Sequence, residues 1–222
     1  MKIELKNIYK SFDNIDVIKD VNITFESGKI YGLYGRNGSG KSVLMKLICG
    51  FLIPTKGEVL INGENFNAKK DFPNNLRAVI EKPGFFPDLT GYENLKLLAN
   101  IQNIIGEEEI LKSLEVVNLL DEKDKKYSKY SLGMKQKLAI AQAIMENPKI
   151  LILDEPFNGI EEKTVKKIIE YLKEEKTKEK LIIFSTHIKE DLDSLADKIY
   201  KIDNGKIYEN WSKFIKKQNK KR

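Results

Sequence analysis

Residues 35–42 of this 222-residue chain are Gly35-Arg36-Asn37-Gly38-Ser39-Gly40-Lys41-Ser42, which satisfies the phosphate-loop pattern G-x-x-x-x-G-K-[ST]. A strand predicted over 29–34 precedes the loop, and apolar residues at 43, 44, 47 and 48 predict a helix after it. Glycines let backbone N–H groups point at phosphate oxygens, and the helix start adds a positive dipole end. Lys41 would neutralise β- and γ-phosphates, and the Ser42 hydroxyl would bind Mg²⁺. The stretch therefore predicts a nucleoside triphosphate site, against the alternative of a chance glycine loop.

Two neighbouring carboxylates, Asp154 and Glu155, follow the fully apolar stretch 150–153. A buried strand would deliver both acids to its carboxyl end, where doubly wound sheets bind ligands. Asp154 would then hold Mg²⁺ through water, and Glu155 would orient and polarise an attacking water. The alternative is a solvated acidic strand end, but the phosphate loop favours the catalytic interpretation.

The hydrophobic pattern predicts an α/β chain with a helical middle. Thr90 and Glu93 have the spacing of a capping box, so a helix should begin at 91. Apolar strands alternate with amphipathic helices after Pro148, which implies a parallel sheet covered on both faces. The predicted elements are short strands at 21–26, 29–34, 57–61, 78–81, 150–153 and 181–184, helices at 91–102, 107–120, 132–146, through 165–172 and at 188–196, and a hairpin around 204–205.

The composition indicates a folded chain. Hydrophobic residues make up 41% and aromatic residues 9% of it, which argues against intrinsic disorder. Because no stretch approaches about 18 consecutive apolar residues and the start lacks a signal-peptide pattern, we expect a soluble, intracellular protein. The single cysteine, Cys49, excludes an intrachain disulfide, and its apolar neighbours predict a buried structural thiol.

The positive charge is concentrated at one end. The formal net charge is +6, but residues 213–222 alone hold six basic side chains and no acidic one. Residues 1–212 are therefore formally neutral, and the charge gives no support for a nucleic-acid partner. The tail is either a solvated end of the chain or a segment that binds anionic lipids of the inner leaflet.

The pentapeptide at 130–134, Tyr-Ser-Leu-Gly-Met, resembles the Leu-Ser-Gly-Gly-Gln signature of the ATP-binding cassette of ABC transporters. The resemblance implies a P-loop α/β cassette over 1–212, with a mixed-sheet core, an antiparallel β lobe and a helical subdomain inserted at about 86–146. It also implies ATP and Mg²⁺ as ligands. It implies a homodimer or pseudo-homodimer in which Ser131 and Gly133 touch the γ-phosphate held by the other subunit. From this pentapeptide alone, a simple helix cap by Ser131 is the favoured interpretation.

Two further positions match the same family. His187, the only histidine, stands at the end of the strand 181–186 as the family's catalytic switch histidine does, although a lone histidine is more often a satisfied core or surface residue. Phe12 stands where the family has an aromatic that stacks on adenine, and a core aromatic is the alternative. The residues so assigned to nucleotide binding are Phe12, Gly35, Asn37, Gly38, Ser39, Gly40, Lys41, Ser42, Val43, Ser131 and Gly133.

Three positions depart from the family's pattern. The expected Gln after the strand at 78–80 is Glu81, the last signature residue is Met134, and the expected Asp after the second carboxylate is Glu161. Glu81 keeps an oxygen that could meet Mg²⁺, but its charge near Glu155 and the γ-phosphate needs a cation between them. We therefore expect Glu81 to approach the metal only when Mg²⁺ is bound.

Residues 80–95 and 130–136 resemble the bacitracin and lantibiotic self-protection branch of ABC exporters. This resemblance implies export of a peptide antibiotic or another amphiphile through separate transmembrane permease subunits. The ATP-hydrolysing chain would lie peripherally on the cytoplasmic face of the bacterial inner membrane. A soluble cassette ATPase serving a cytosolic assembly, such as iron–sulfur cluster building, would carry the same nucleotide residues and is the alternative.

Two other classes are disfavoured. Chromosome and repair ATPases insert long coiled coils between phosphate loop and signature, but only 90 residues separate Lys41 from Ser131. A non-hydrolysing nucleotide sensor would lack the catalytic acid or the switch histidine, and this chain has both Glu155 and His187.

The stretch 82–98 is the expected docking region for a membrane subunit. The resemblance implies that a coupling helix binds there, and the sequence offers Phe85, Phe86 and Tyr92 as exposed contacts. A small satellite core would explain the same three aromatics.

Overall fold

A computed structural model describes residues 1–66, 75–81 and 84–209. The strands are β1 (Lys2–Phe12), β2 (Ile15–Glu26), β3 (Lys29–Tyr34), β4 (Lys56–Ile61), β5 (Glu64–Asn65), β6 (Leu76–Val79), β7 (Ile150–Asp154), β8 (Leu181–Thr186), β9 (Lys198–Asp203) and β10 (Lys206–Tyr208). The α-helices are α1 (Lys41–Ile48), α2 (Gly91–Gln102), α3 (Glu107–Val116), α4 (Leu132–Ile144), α5 (Glu162–Thr177) and α6 (Lys189–Leu195). Short 3₁₀ helices lie at Leu120–Glu122 and Tyr127–Lys129.

The central sheet has the strand order β10-β9-β3-β8-β7-β6, in which every pair except β10–β9 is parallel. The register pairs Tyr34 with Thr186 and Asp154 with Ser185. The carboxyl ends of β3, β7 and β8 therefore lie side by side. This confirms the predicted parallel sheet and brings the acidic strand end next to the loop that follows β3.

Helices cover both faces of this sheet, as the apolar strands require. Successive residues of β7 belong to different cores: Ile150 and Ile152 pack with α1 and the second sheet, whereas Leu151 and Leu153 pack with α4, α5 and α6. Burial on both faces explains why β7 and β8 are apolar at nearly every position instead of alternating.

The second sheet is antiparallel, with the order β2-β1-β4-β5. Its first two strands are 11 and 12 residues long, so the expectation of short strands in this region was wrong. The pairing of β1 with β2 shifts register three times, and Asn7 and Asp20 adopt φ of 51° and 49°. Such irregularities interrupt the alternation of apolar and polar residues, so one long bulged strand looks like several short ones.

The helical middle of the chain, α2 to α4, lies between β6 and β7. The predicted capping box at the start of α2 is present: Thr90 Oγ1 accepts from the Glu93 N–H at 3.1 Å, and Glu93 Oε2 accepts from the Thr90 N–H at 2.7 Å. α3 ends at Val116, four residues before its predicted end, because Asn118 is left-handed and the Leu119 N–H bonds back to the Leu114 carbonyl.

The aromatic residues of the expected docking region do not share one environment. Phe85 is only 9% exposed and packs in the helical core, so its assignment as an exposed contact was wrong, whereas Phe86 is 57% exposed. Tyr92 is half-buried against the same core. Residues 82–83 and the basic tail lie outside the described residues, so both interpretations of the tail stay open.

Cys49, which directly follows α1, is fully buried in the core, as predicted, and burial raises the pKa of its thiol to about 12. Among the residues that the structure describes, no helix combines the length and the apolarity that a membrane crossing needs.

Candidate active site

A cavity of about 360 Å³ opens above the phosphate loop, at the carboxyl ends of the central strands. It is lined by Val17, Asn37, Gly38, Gly40, Lys41, Ser42, Val43, Asp154 and Glu155. The structure thus brings the loop, the start of α1 and the two acids at the carboxyl end of β7 into one site.

Two glycines of the loop are required by close packing. A Cβ at Gly35 would lie 2.5 Å from the Ile202 carbonyl oxygen, and a Cβ at Gly40, whose φ is 108°, would lie 2.9 Å from Ile18 Cδ1.

Ser39 Oγ is buried and finds no hydrogen-bond partner among the described residues. A buried hydroxyl without a partner is costly, so the loop has a donor ready for a phosphate oxygen.

Lys41 is folded back over the loop and is only 5% exposed. Its Nζ donates to the carbonyl oxygens of Gly35 at 2.8 Å and Arg36 at 3.3 Å. The same ammonium lies 3.2 Å from Glu155 Oε1, a charge contact that falls outside hydrogen-bond geometry. Lys41 Nζ is therefore held over the loop by protein oxygens that the oxygens of a bound triphosphate would replace.

Ser42 and Asp154 are in direct contact, since the Ser42 hydroxyl donates to Asp154 Oδ2 at 2.5 Å. Ser185 donates to the other carboxylate oxygen of Asp154 and accepts from the Glu155 N–H at 3.0 Å. A hydroxyl beside a carboxylate is a donor set that suits Mg²⁺. Within the described part of the chain, no group of three or more His, Cys, Asp or Glu side chains could hold a metal by itself. The residues fit a metal that completes its coordination with substrate phosphates and water.

Glu155 is held by neighbours on both sides. His187 Nδ1 lies 2.8 Å from Glu155 Oε2, Lys41 approaches the other oxygen, and Gln136 Nε2 donates to the Glu155 backbone carbonyl at 3.4 Å. Glu155 has φ of 48°, an uncommon value for a residue with a side chain. Its carboxylate is therefore fixed between a cation and an imidazole at the edge of the cavity.

The family-derived residues Phe12, Ser131 and Gly133 are absent from the lining of this cavity. Phe12 is 41% exposed at the end of β1, with Lys10 Nζ 5.0 Å from its ring centre. Ser131 caps α4 by accepting from the Met134 N–H at 3.2 Å and is exposed. A Cβ at Gly133 would overlap the Gly159 carbonyl oxygen, so the start of α4 needs glycine there.

The two acidic departures from the family pattern have lysine partners. Glu81 does not join Ser42 and Asp154; its carboxylate lies 2.5 Å from Lys46 Nζ on the last turn of α1. Glu161 pairs with the buried Lys137 of α4, which lowers the pKa of the Glu161 carboxyl. Glu81 as a metal ligand remains a prediction.

Sequence reasoning missed several residues around the site. Ser185, which binds Asp154, could have been noticed as a polar residue near the carboxyl end of an apolar strand. Asp191 accepts from the Thr186 hydroxyl at 2.7 Å beside His187, and burial raises the pKa of its carboxyl. Gln136 and Val17 reach the site by tertiary packing and carry no local signal.

Residues 18–158 match the sequence model of a family described as ABC transporter. The chain belongs to the ABC transporter family, as the signature predicted, and it is the ATP-binding, ATP-hydrolysing cassette of that family.

Three curated relatives define its position more closely. The chain is 41% identical to the uncharacterized ABC transporter ATP-binding protein YybJ of Bacillus subtilis (strain 168), over 92% of this chain and 94% of the relative. It is 40% identical to the bacitracin transport ATP-binding protein BcrA of Enterococcus faecalis, over 93% of this chain and 68% of the relative. It is 33% identical to the lantibiotic transport ATP-binding protein SrtF of Streptococcus pyogenes, over 92% and 88%.

Solved structures agree with the fold. The ATP-binding subunit of an ABC transporter superimposes with a TM-score of 0.86 at 27% identity, over 99% of this chain and 94% of the other. A dimeric post-hydrolysis state of the cassette MJ0796, bound to ADP and Pi, gives a TM-score of 0.82 at 25% identity, over 93% and 98%.

Proposed function

We propose that two copies of this chain clasp Mg-ATP between them, and that hydrolysis drives export of a peptide antibiotic through separate membrane subunits. The observation that supports hydrolysis best is the Glu155 carboxylate, which lies between Lys41 and His187 beside the phosphate loop. The relatives named for bacitracin and lantibiotic transport support the substrate class. They also disfavour the alternative of a soluble cassette serving iron–sulfur cluster building.

Substrate binding would exchange the internal partners of the loop for phosphate oxygens. The γ-phosphate would replace the Gly35 and Arg36 carbonyls and Glu155 as the partner of Lys41 Nζ. A phosphate oxygen would also accept a hydrogen bond from the Ser39 hydroxyl. Glu155 Oε1, which makes no hydrogen bond within the described residues, is then free to accept from a water. Binding of the triphosphate therefore frees Glu155 Oε1 to act as the general base.

Hydrolysis would follow by in-line attack. The water oxygen forms a bond to the γ-phosphorus, the bond to the β–γ bridging oxygen breaks, and the water proton passes to Glu155. His187 Nδ1 holds the second Glu155 oxygen and keeps the carboxylate aimed at the water. Ser42 and Asp154 would hold Mg²⁺, which when bound supplies positive charge to the β- and γ-phosphates. ADP and inorganic phosphate are the products.

The second copy would supply the other side of the site. Ser131 caps α4 and Gly133 lies in its first turn, where Ser131 is exposed, the adjoining Leu132 is 67% exposed and Gly133 is partly exposed. Hydroxyl and amide donors at a helix start suit an anion. Because a two-fold dimer repeats each contact, opposed copies would each present this helix start to the other's phosphate loop.

The Lys46–Glu81 pair provides a prediction about Mg²⁺. Glu81→Gln should raise the Mg²⁺ concentration that half-saturates ATP binding and hydrolysis, since it removes a carboxylate from the approach to the metal. Lys46→Met should lower that concentration, because it releases Glu81. We expect shifts of about threefold, the range of an exposed ion pair. Mg²⁺ titrations of both reactions measure the shifts, with Lys29→Met, in the remote pair with Glu26, as control. Unchanged Mg²⁺ dependence in Glu81→Gln would refute the role of Glu81.

The transport function is tested in a strain that lacks this gene. The strain should become more sensitive to bacitracin or to a lantibiotic, and the wild-type chain should restore growth. Phe86→Ala should restore it poorly, because an exposed aromatic at a docking face contributes about 2 kcal/mol, or more than tenfold in affinity. Tyr208→Ala, at an exposed aromatic on β10, is the matched control.

Two results would count against this function. Full rescue by Phe86→Ala would remove the docking role of that residue. Unaltered sensitivity of the deletion strain to both antibiotics, with no membrane subunit co-purifying with the tagged chain, would favour the soluble alternative.

A further inference from the structure

Three aromatic rings connect the expected docking region with the signature. The ring centres of Phe85 and Tyr127 lie 5.2 Å apart, and those of Tyr127 and Tyr130 lie 5.8 Å apart, both in tilted arrangements. We call Phe85, Tyr127 and Tyr130 the aromatic row. One end of the row adjoins the exposed Phe86, and the other end immediately precedes Ser131.

The Tyr130 end of the row is tightly held. Tyr130 is 5% exposed, and its hydroxyl donates to the Glu122 carbonyl at 2.9 Å. A Cβ at Gly91 would overlap that hydroxyl, so the first residue of α2 leaves the space that the ring fills. Ser131, the N-cap of α4, directly follows this fixed ring in the chain, so the ring position constrains where the signature hydroxyl stands.

The Phe86 end is equally fixed. The buried Asn94 side chain accepts from the Phe86 N–H at 2.8 Å and donates to the Phe86 carbonyl at 3.1 Å. The backbone that carries the exposed Phe86 ring is therefore held in place by two hydrogen bonds to one buried side chain.

Backbone hydrogen bonds tie the two segments together along the row. The Tyr127 N–H donates to the Leu89 carbonyl at 2.9 Å, and the Ser128 N–H donates to the Pro87 carbonyl at 3.0 Å. The Tyr92 N–H in turn donates to the Lys123 carbonyl at 2.9 Å. Residues 86–92 and 123–130 therefore form one packed unit that ends at the signature.

We propose that the aromatic row consists of positioning residues that couple the Phe86 segment to Ser131. A membrane subunit that moves Phe86 would shift the signature toward or away from the partner's nucleotide. This inference rests on the proposed function, because it requires Ser131 to act across a dimer. Coupling is reciprocal, so engagement of Ser131 must also restrain the Phe86 segment. That reciprocity allows a test without the membrane subunits.

The test uses the full chain carrying Glu155→Gln as parent. Adding Tyr127→Ala should weaken ATP-dependent dimerisation about tenfold or more, measured by analytical ultracentrifugation, while ATP affinity of the monomer stays within about twofold. Tyr127→Phe keeps the ring and should restore dimerisation, and Tyr208→Ala is the control. Amide hydrogen exchange over 86–92 should slow on dimerisation of the parent but not in Tyr127→Ala at matched dimer occupancy.

The experiment distinguishes failure of the proposed function from failure of the aromatic row alone. Failure of the parent to dimerise overturns the proposed function and the row with it. With a dimeric parent, the row alone is overturned by normal dimerisation of Tyr127→Ala, by equal loss of monomer ATP affinity, or by failure of Tyr127→Phe to restore dimerisation. Equal slowing of exchange in parent and Tyr127→Ala also overturns it. If Tyr127→Ala does not fold, Phe85→Leu, which nearly conserves volume, interrupts the same ring contact under the same criteria.

Discussion

Glu155→Gln should lower the rate of ATP hydrolysis about 10²- to 10⁴-fold, the usual contribution of a general base. The amide cannot take a proton from the attacking water, although it keeps the size and the hydrogen-bonding reach of the carboxylate. It also removes a negative charge that would face the γ-phosphate. Nucleotide binding should persist, and the protein should accumulate as an ATP-bound dimer. Phosphate release and size-exclusion chromatography in saturating Mg-ATP measure the two effects.

The matched control for this prediction is Glu162→Gln. Glu162 is an exposed glutamate in the first turn of α5, where it pairs with Lys166. It carries the same chemical change a few residues further along the chain and should leave hydrolysis unaltered. A Glu155→Gln protein that stays monomeric with bound nucleotide would contradict the clasped dimer.

Two inactive variants should restore each other's activity when they are mixed. Lys41→Ala damages the phosphate loop, and Ser131→Arg blocks the signature with a bulky side chain. Each homodimer then has two defective sites, whereas a mixed dimer combines the intact loop of one copy with the intact signature of the other. With random pairing, half the dimers are mixed and each has one good site, so the mixture should reach about a quarter of the wild-type rate.

Differently tagged copies verify the mixed dimer, and ATP turnover of the mixture is compared with that of each variant alone. A mixture that forms mixed dimers yet stays inactive would mean that Ser131 does not serve the partner's nucleotide. Activity in Ser131→Arg by itself would have the same meaning.

The nucleotide loop and the acidic strand end could be predicted because each is a local pattern. Gly35 to Ser42 specify their own backbone shape, and the strand before and helix after them are strongly apolar. The parallel sheet could be predicted as well. Strands that are apolar at every position must be buried on both faces, and sheets covered on both faces by helices are typically parallel. Because Asp154 and Glu155 come at the end of one of these strands, they had to lie at the carboxyl edge of the sheet, beside the phosphate loop.

The remaining features depend on contacts that local sequence does not encode. Gln136 meets Glu155 only because α4 packs over β7, and Ser185 meets Asp154 only through the register of two strands. Phe85 and Phe86 are identical neighbours, yet helical packing buries one and leaves the other at the surface. The lysine partner of Glu81 likewise depends on where the segment after β6 meets α1.

The buried thiol at the end of α1 makes this ATPase resistant to reagents that attack cysteine. With a pKa of about 12, Cys49 stays protonated at neutral pH, and its burial denies entry to oxidants and alkylating reagents. Turnover should therefore be insensitive to peroxide or maleimide at doses that inactivate proteins with accessible thiolates. A single cysteine introduced at an exposed position would be the only labelling site, which gives spectroscopic probes direct access to the motions of the dimer without removal of the native residue.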